Sequence, residues 1–475
     1  MRTELLIQDV LVLDPRAPET ASRHDIAIGE GRIIAIEPPD SLAPNGAHLI
    51  DGRDRLLLPG LVNAHTHSPL NILKGTGDAL SHPIFMWRNQ ADTTGRAPDE
   101  IRLSALYGCI EHLLNGTTTV IDHFPEQGFD LACVDAVVDA YRSAGLRAVI
   151  ALRIFDQPYS DIEPPASLPR ELAVGSPLTP PPLAETLALV EEAIRRHDGA
   201  AGGRIRVWPA PSNPLRCSDA LLEGVQALAE RYDTGIHTHL LETALQADLA
   251  RQRYGRTMVR HLDELGLLGP RLSTAHTIWL DQDDIQLIAS RGAVPVHNPA
   301  SNLKLGAGIC PVGKMHHAGV TVALGTDGAS TNDSLDMHEV PRLAITLQRP
   351  GEPDRARWLT AGAGLSMATL AGGRAARIAE LGSLAIGAPA DLILHDLTAP
   401  AWTPLNDPVT QFVFAATGAS VDTVIVDGRA VVEGRRIATI DAEAVKAEIR
   451  ELAPRLRQRN PGLRRWTTAM ESLLS

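Results

Sequence analysis

The sequence predicts an α/β fold: a (β/α)8 barrel of the TIM type, with a small β-sandwich formed by the N- and C-terminal segments. Three observations point there. Eight apolar, strand-like runs alternate with helical patterns between residues 59 and 385. Shorter strand-like runs flank them on both sides. Histidines and carboxylates stand at the ends of several of the eight runs, and the strand ends are where barrels of this kind carry their chemistry.

Residues 1–58 are expected to supply the N-terminal part of the sandwich. Runs 5–13, 25–36 and 48–57 alternate or run apolar and are broken by Gly, Pro and Asp. Residues 59–385 form the predicted barrel, with strands at 61–67, 118–123, 147–155, 204–212, 234–242, 271–280, 293–299 and 320–327. Between them, Ile101, Leu103, Leu106, Ile110 and Leu113 give a helical period over 101–114, and 219–231 is similar. Residues 386–440 return to strands at 390–394, 421–426 and 430–432, with Asp427-Gly428 as a hairpin turn. Residues 441–475 read as helical as far as Pro461-Gly462. The segment 156–182 is rich in proline and follows the third barrel strand. It is expected on the active-site face, either as a lid or pocket wall or as a plain surface excursion.

Composition narrows the function classes. The 475 residues are 44% hydrophobic and 21% charged, with a net charge of −13 and no Lys/Arg run. Nucleic acid and anionic membrane are therefore poor partners. The four cysteines include no close pair, and no stretch is long and apolar enough for a signal peptide or a membrane span. A reducing, cytoplasmic setting is the expectation.

His65 and His67 are two apart on one strand, so both face the barrel interior. His237 and His239 share a face in the same way, with His239 the expected ligand and His237 a supporting residue. Asp327 ends the eighth run, just before Gly328, where a carboxylate can bind a metal ion and also accept a proton from the water bound to it. Three imidazoles and a carboxylate suit one divalent ion with an open position for water, Zn²⁺ first and Fe²⁺ as the alternative. Glu242 lies three residues beyond His239, beside the ion, where a proton shuttle belongs. His276 ends the sixth run and is expected to hold the attacking water or the developing oxyanion. His123 ends the second run and is read as packed or lining the pocket.

These residues resemble the amidohydrolase superfamily, over nearly the whole chain. The strings that carry the resemblance are 59–67 (PGLVNAHTH), 298–306 (NPASNLKLG) and 324–329 (LGTDGA). They resemble the mononuclear branch with S-adenosylhomocysteine/methylthioadenosine deaminases, guanine and 8-oxoguanine deaminases, and triazine hydrolases such as atrazine chlorohydrolase and melamine deaminase. The resemblance implies His65, His67, His239 and Asp327 as ligands, Glu242 as shuttle, His276 beside the water, and a homo-oligomer. It also suggests Trp87, Arg153 and Asn302 as substrate contacts. Two positions depart from the relatives: Gly328 differs from the triazine enzymes, and Ser212 replaces a ribose-contacting His of nucleoside deaminases.

The expected reaction is hydrolytic removal of an exocyclic amino group from a small purine, pyrimidine or triazine ring. Displacement of chloride or alkylamine from a triazine is the alternative. Cyclic-amide hydrolysis by a binuclear relative would need a lysine at the end of the fourth strand, and 204–212 has none. A non-catalytic scaffold would be expected to lose ligands, and all are present.

Overall fold

The computed structural model describes residues 2–125, 128–157 and 180–474. Most of the proline-rich segment read as a lid or excursion therefore lies outside the described residues. Five strands open the chain: β1 (Leu5–Leu13), β2 (Ala21–Gly29), β3 (Arg32–Glu37), β4 (His48–Asp51) and β5 (Arg55–Pro59). Eight follow in the barrel: β6 (Leu61–Thr66), β7 (Thr117–Phe124), β8 (Arg147–Ile154), β9 (Ile205–Pro211), β10 (Ile236–Leu240), β11 (Leu272–His276), β12 (Val294–His297) and β13 (Ala323–Leu324). Then come β14 (Leu392–Asp396), β15 (Val421–Val426), β16 (Arg429–Glu433) and β17 (Arg436–Ile437).

All eight predicted barrel runs contain a strand. Strands β6 to β9 pair in parallel, as do β10 to β13. Hydrogen bonds cross both seams: Asp327 N–H donates to the His65 carbonyl at 2.9 Å, and His239 N–H to the Ser212 carbonyl at 3.4 Å. Seven of the eight strands end earlier than their apolar runs, and β7 ends one residue later, at Phe124. The run 271–280 stops at His276 because His276 (φ 69°) and Thr277 (φ 49°) turn the chain. The run 320–327 keeps only Ala323–Leu324 as strand before Asp327 (φ 63°) turns away.

Strands from both ends of the chain meet in one nine-stranded sheet, with β5 pairing β1 on one side and β14 on the other. Alternation assigns its two faces. Leu57, Leu392, Leu394 and Ile425 join Leu5, Ile7, Ile26 and Ile28 in a small core, while Leu56, Leu58, Ile393 and Val424 join the barrel's core. The Asp427-Gly428 pair forms the predicted hairpin, both residues at positive φ (51° and 74°).

Caps legible in the sequence delimit the helices. Ser218 caps helix Asp219–Arg231, and Asp281 caps Gln282–Arg291, which ends at Gly292 in the left-handed region. Pro461 does not end the helical tail as expected. It opens a second helix, Pro461–Leu474, after Ala442–Gln458, because proline is tolerated in a first helical turn. A helix the sequence reading did not single out, His82–Thr93, follows Ser81 with Pro83 in its first turn. It contacts Pro461–Leu474. No helix among the described residues is long and apolar enough to cross a membrane.

Candidate metal centre

Four strand ends converge at the mouth of the barrel. His65 stands near the end of β6 and His67 just beyond it; His237 and His239 lie on β10, His276 ends β11, and Asp327 follows β13. All are buried. Leu241, His276, Thr277 and Asp327 adopt left-handed backbone, the tight turns that aim the side chains after them.

Hydrogen bonding fixes which ring nitrogens remain available. His67 Nδ1–H donates to the His123 carbonyl at 2.9 Å, and His239 Nδ1–H to the Ser212 carbonyl at 2.5 Å. The third ring is set by a relay. The Ser273 hydroxyl donates to the Ile236 carbonyl (3.4 Å), so its oxygen accepts from His237 Nδ1–H (2.7 Å). His237 Nε2 then accepts from His65 Nδ1–H at 2.8 Å. Each of His65, His67 and His239 is thereby left with an Nε2 lone pair facing inward, and no hydrogen bond reaches His65 Nε2. Burial holds His65 down at about 4, and holds His239 well below the usual imidazole range, so both are neutral, as ligands must be. Against its burial, Asp327 is held well below the usual carboxylate range, and its oxygens accept from Ser301 Oγ–H at 2.6 Å and Gly328 N–H at 2.7 Å, as an ionised carboxylate does.

The spacing tests the fit to a metal. His65 Nε2 is 3.5 Å from Asp327 Oδ1, His67 Nε2 is 3.4 Å from the same oxygen, and His239 Nε2 is 3.3 Å from His67 Nε2. Two lone pairs 3.3 Å apart repel unless a cation lies between them. A tetrahedral site with bonds of about 2.1 Å has edges of about 3.4 Å. These three neighbour spacings match edges of such a site around one small divalent ion. His123, read from sequence as packed or lining the pocket, also lies in this cluster, its ring 4.6 Å from that of His239 with neither nitrogen bonded.

Glu242 and His276 flank the centre. Glu242 Oε1 is 3.9 Å from His276 Nε2, and Oε2 is 3.0 Å from His82 Nε2. Burial would raise the Glu242 carboxyl, but His276 and His82 outweigh it and hold it at about 2. His276 Nδ1–H donates to Asn302 Oδ1 at 2.8 Å.

The three suggested substrate contacts fall in different places. Arg153 lines the cavity beside the cluster and donates to Ser212 Oγ at 2.9 Å. Asn302 sits behind His276 and orients its ring rather than lining that cavity. Trp87 faces away, its ring 5.0 Å from Trp466, while Phe85, Met86 and Asn89 of the same helix line the cavity. The sequence pointed to Trp87 alone; Phe85, two residues earlier and about 200° around the helix, is the aromatic that turns inward. His82 went unnoticed because a lone histidine before proline carries no motif. A larger groove of about 950 Å³, lined by Arg16, Ile288, Arg374 and Arg377, contains none of the cluster.

Comparison with known proteins agrees with this geometry. The Amidohydrolase family model matches residues 56–431. The 5′-deoxyadenosine deaminase of Methanothermobacter thermautotrophicus is 35% identical over 455 residues, covering 93% of this chain and 99% of its own. The 5-methylthioadenosine/S-adenosylhomocysteine deaminase of Desulforudis audaxviator is 35% identical, over 95% and 99%. Among solved structures, a zinc-bound adenosine deaminase of Xanthomonas campestris superposes with a TM-score of 0.84 at 30% identity, over 96% and 99%. The zinc-complexed atrazine chlorohydrolase of Arthrobacter aurescens gives 0.85 at 26%, over 94% and 99%. A histidine-rich centre at the mouth of a parallel barrel, with sequence likeness along nearly its full length, makes this chain a member of the amidohydrolase family.

Proposed function

We propose that this protein removes an exocyclic amino group from a nitrogen heterocycle and releases ammonia, using one Zn²⁺ held by His65, His67, His239 and Asp327. The observation that carries the reading is a buried set of three imidazoles with inward Nε2 atoms and one carboxylate, with neighbouring donors 3.3 to 3.5 Å apart. Relatives named as deaminases of adenosine derivatives favour an aminopurine among the candidate rings.

Bound there, the ion would lower the pKa of a water from near 16 to about 7 and so supply a nucleophile at neutral pH. The protein's own groups do the rest. Glu242, ionised at rest, takes one proton from the attacking water on Oε1 and gives it to the ring nitrogen, then carries the water's second proton to the departing amine, so that the ring nitrogen and the ammonia each gain one. His276, fixed by Asn302, presents Nε2 between Glu242 and Asp327, where charge develops during attack. Arg153, Phe85 and Met86 line the cavity beside the centre, which at about 30 Å³ has to widen to admit the ring. Ammonia must leave protonated, whereas chloride need not, so a carboxylate anchored beside the centre favours deamination over dehalogenation.

Glu242→Gln tests the shuttle. It should keep the metal and lose at least about 100-fold in turnover, the scale of a general acid–base group. A metal-loaded variant with near-normal ammonia release would refute the assignment.

A further inference from the structure

We propose that His82 is a positioning residue for the proton shuttle: it anchors one oxygen of Glu242 so that the other alone works in the cavity. This rests on the deaminase reading given above.

A glutamate has three rotatable bonds, and holding its head group in one orientation costs conformational entropy unless a partner grips it. Glu242 follows a left-handed Leu241 on a turn, so the backbone alone does not set its carboxylate. Its backbone N–H is taken by Gln246 Oε1 at 2.8 Å, which fixes the main chain only. The carboxylate is gripped at Oε2 by His82 Nε2 at 3.0 Å, and both side chains are 8% exposed. An ionised carboxylate only accepts, so His82 presents an Nε2–H. Oε1 stays toward His276 and the metal ligands. When Oε1 takes up the proton from water, Oε2 still accepts from His82, and His82 does not compete for that proton. Every turnover therefore starts from the same carboxylate orientation.

The helix that delivers His82 is built to do so. His82, Phe85, Met86 and Asn89 recur at helical spacing on one face, and the last three line the cavity. The other side is clamped by the C-terminal helix. Trp87 and Trp466 rings lie 5.0 Å apart, and Arg88 reaches Glu471 at 3.0 Å. Asn460 donates to the Ala91 and Thr94 carbonyls at 3.0 and 2.8 Å. One helix thus sets both a cavity wall and the shuttle's orientation.

The test compares zinc-loaded wild type, His82→Leu and His82→Gln. Ammonia release is assayed over aminopurines, aminopyrimidines, pterins and aminotriazines, and kinetics are taken on the fastest. Crystal structures of the same zinc-loaded proteins locate Glu242. His82→Leu should lower kcat by about 10- to 100-fold, the effect of misplacing a reacting group by about 1 Å, with KM within about threefold. The Glu242 carboxylate should leave its wild-type position. His82→Gln, which keeps a donor, should restore both the position and most of kcat. Unchanged kcat with Glu242 in place, or a raised KM at constant kcat, would overturn the proposal. If wild type releases ammonia from nothing in the panel, the deaminase reading fails. The crystal structures still decide whether His82 holds Glu242.

Discussion

His65, His67 and His239 each have one ring nitrogen committed to a neighbour and the other turned inward. His67 and His239 spend Nδ1 on backbone carbonyls, and His65 spends it on His237. Such partners fix the tautomer and aim of a ligand. They also explain why His237, two residues from His239 on the same strand, is not a donor to the centre: both its nitrogens are used. His112 makes a contrasting case. It is fully buried on helix Pro98–Leu114 with neither nitrogen bonded. Burial first, and Lys74 second, hold it at about 3, against 6.5 for an ordinary imidazole. Its folded form is neutral, so the unfolded chain binds the extra proton below about pH 6.5, and stability falls as pH drops from there toward about 3. At pH 5.5 this one group should account for about 1.4 kcal/mol. His112→Leu should remove that share. Denaturant melts of both proteins at pH 7.5 and 5.5 check it, and an identical acid loss in the variant would contradict the assignment.

At the scale of elements, the strand ends do the positioning, and their tight turns leave no spare volume. A Cβ on Gly325 would lie 2.5 Å from Asn298 Oδ1 and 2.9 Å from His65 Cβ. Gly325→Ala must therefore shift β13 or the end of β6. Metal affinity should drop about 10- to 100-fold, as when a ligand's support is lost. Zinc titration reads this directly, and wild-type affinity would show that the turn has slack. The same elements show what could be read in advance. His65, His67, His239 and Asp327 were legible because polar residues at the end of an apolar run break its pattern. Asn298 to Gly306 gave a motif but not the role of Asn302, since its bond to His276 joins the short helix Pro299–Lys304 to the end of β11, 26 residues away. Helix His82–Thr93 was illegible because its inward face mixes His82, Phe85, Met86 and Asn89 and so shows no apolar stripe. Without that helix's phase, Trp87 and Phe85 could not be told apart.

Over the whole molecule, one buried ion pair ties the barrel to the terminal sheet. Arg147, opening β8, grips Asp391 with two bonds of 2.7 and 3.0 Å. Asp391 in turn accepts the Asp427 N–H at 2.8 Å, and its carbonyl accepts Gly60 N–H at 2.8 Å, just before β6. The strand carrying His65 thus starts from this junction. Arg147→Leu strands a buried carboxylate and should cost about 3–5 kcal/mol of stability, while adding Asp391→Leu should recover much of it. Thermal melts of the single and double variants decide, and a neutral single variant would show that the junction is wet. The pair was not legible in the sequence, because 244 residues separate its members.

The central claim is that four distant strand ends hold one ion on which hydrolysis depends. Elemental analysis of the purified protein, paired with ammonia release before chelation, after it, and after zinc is returned, tests this most directly. The prediction is about one equivalent of divalent metal per chain, with metal and activity lost together and restored together. Full turnover by protein stripped of metal would contradict it.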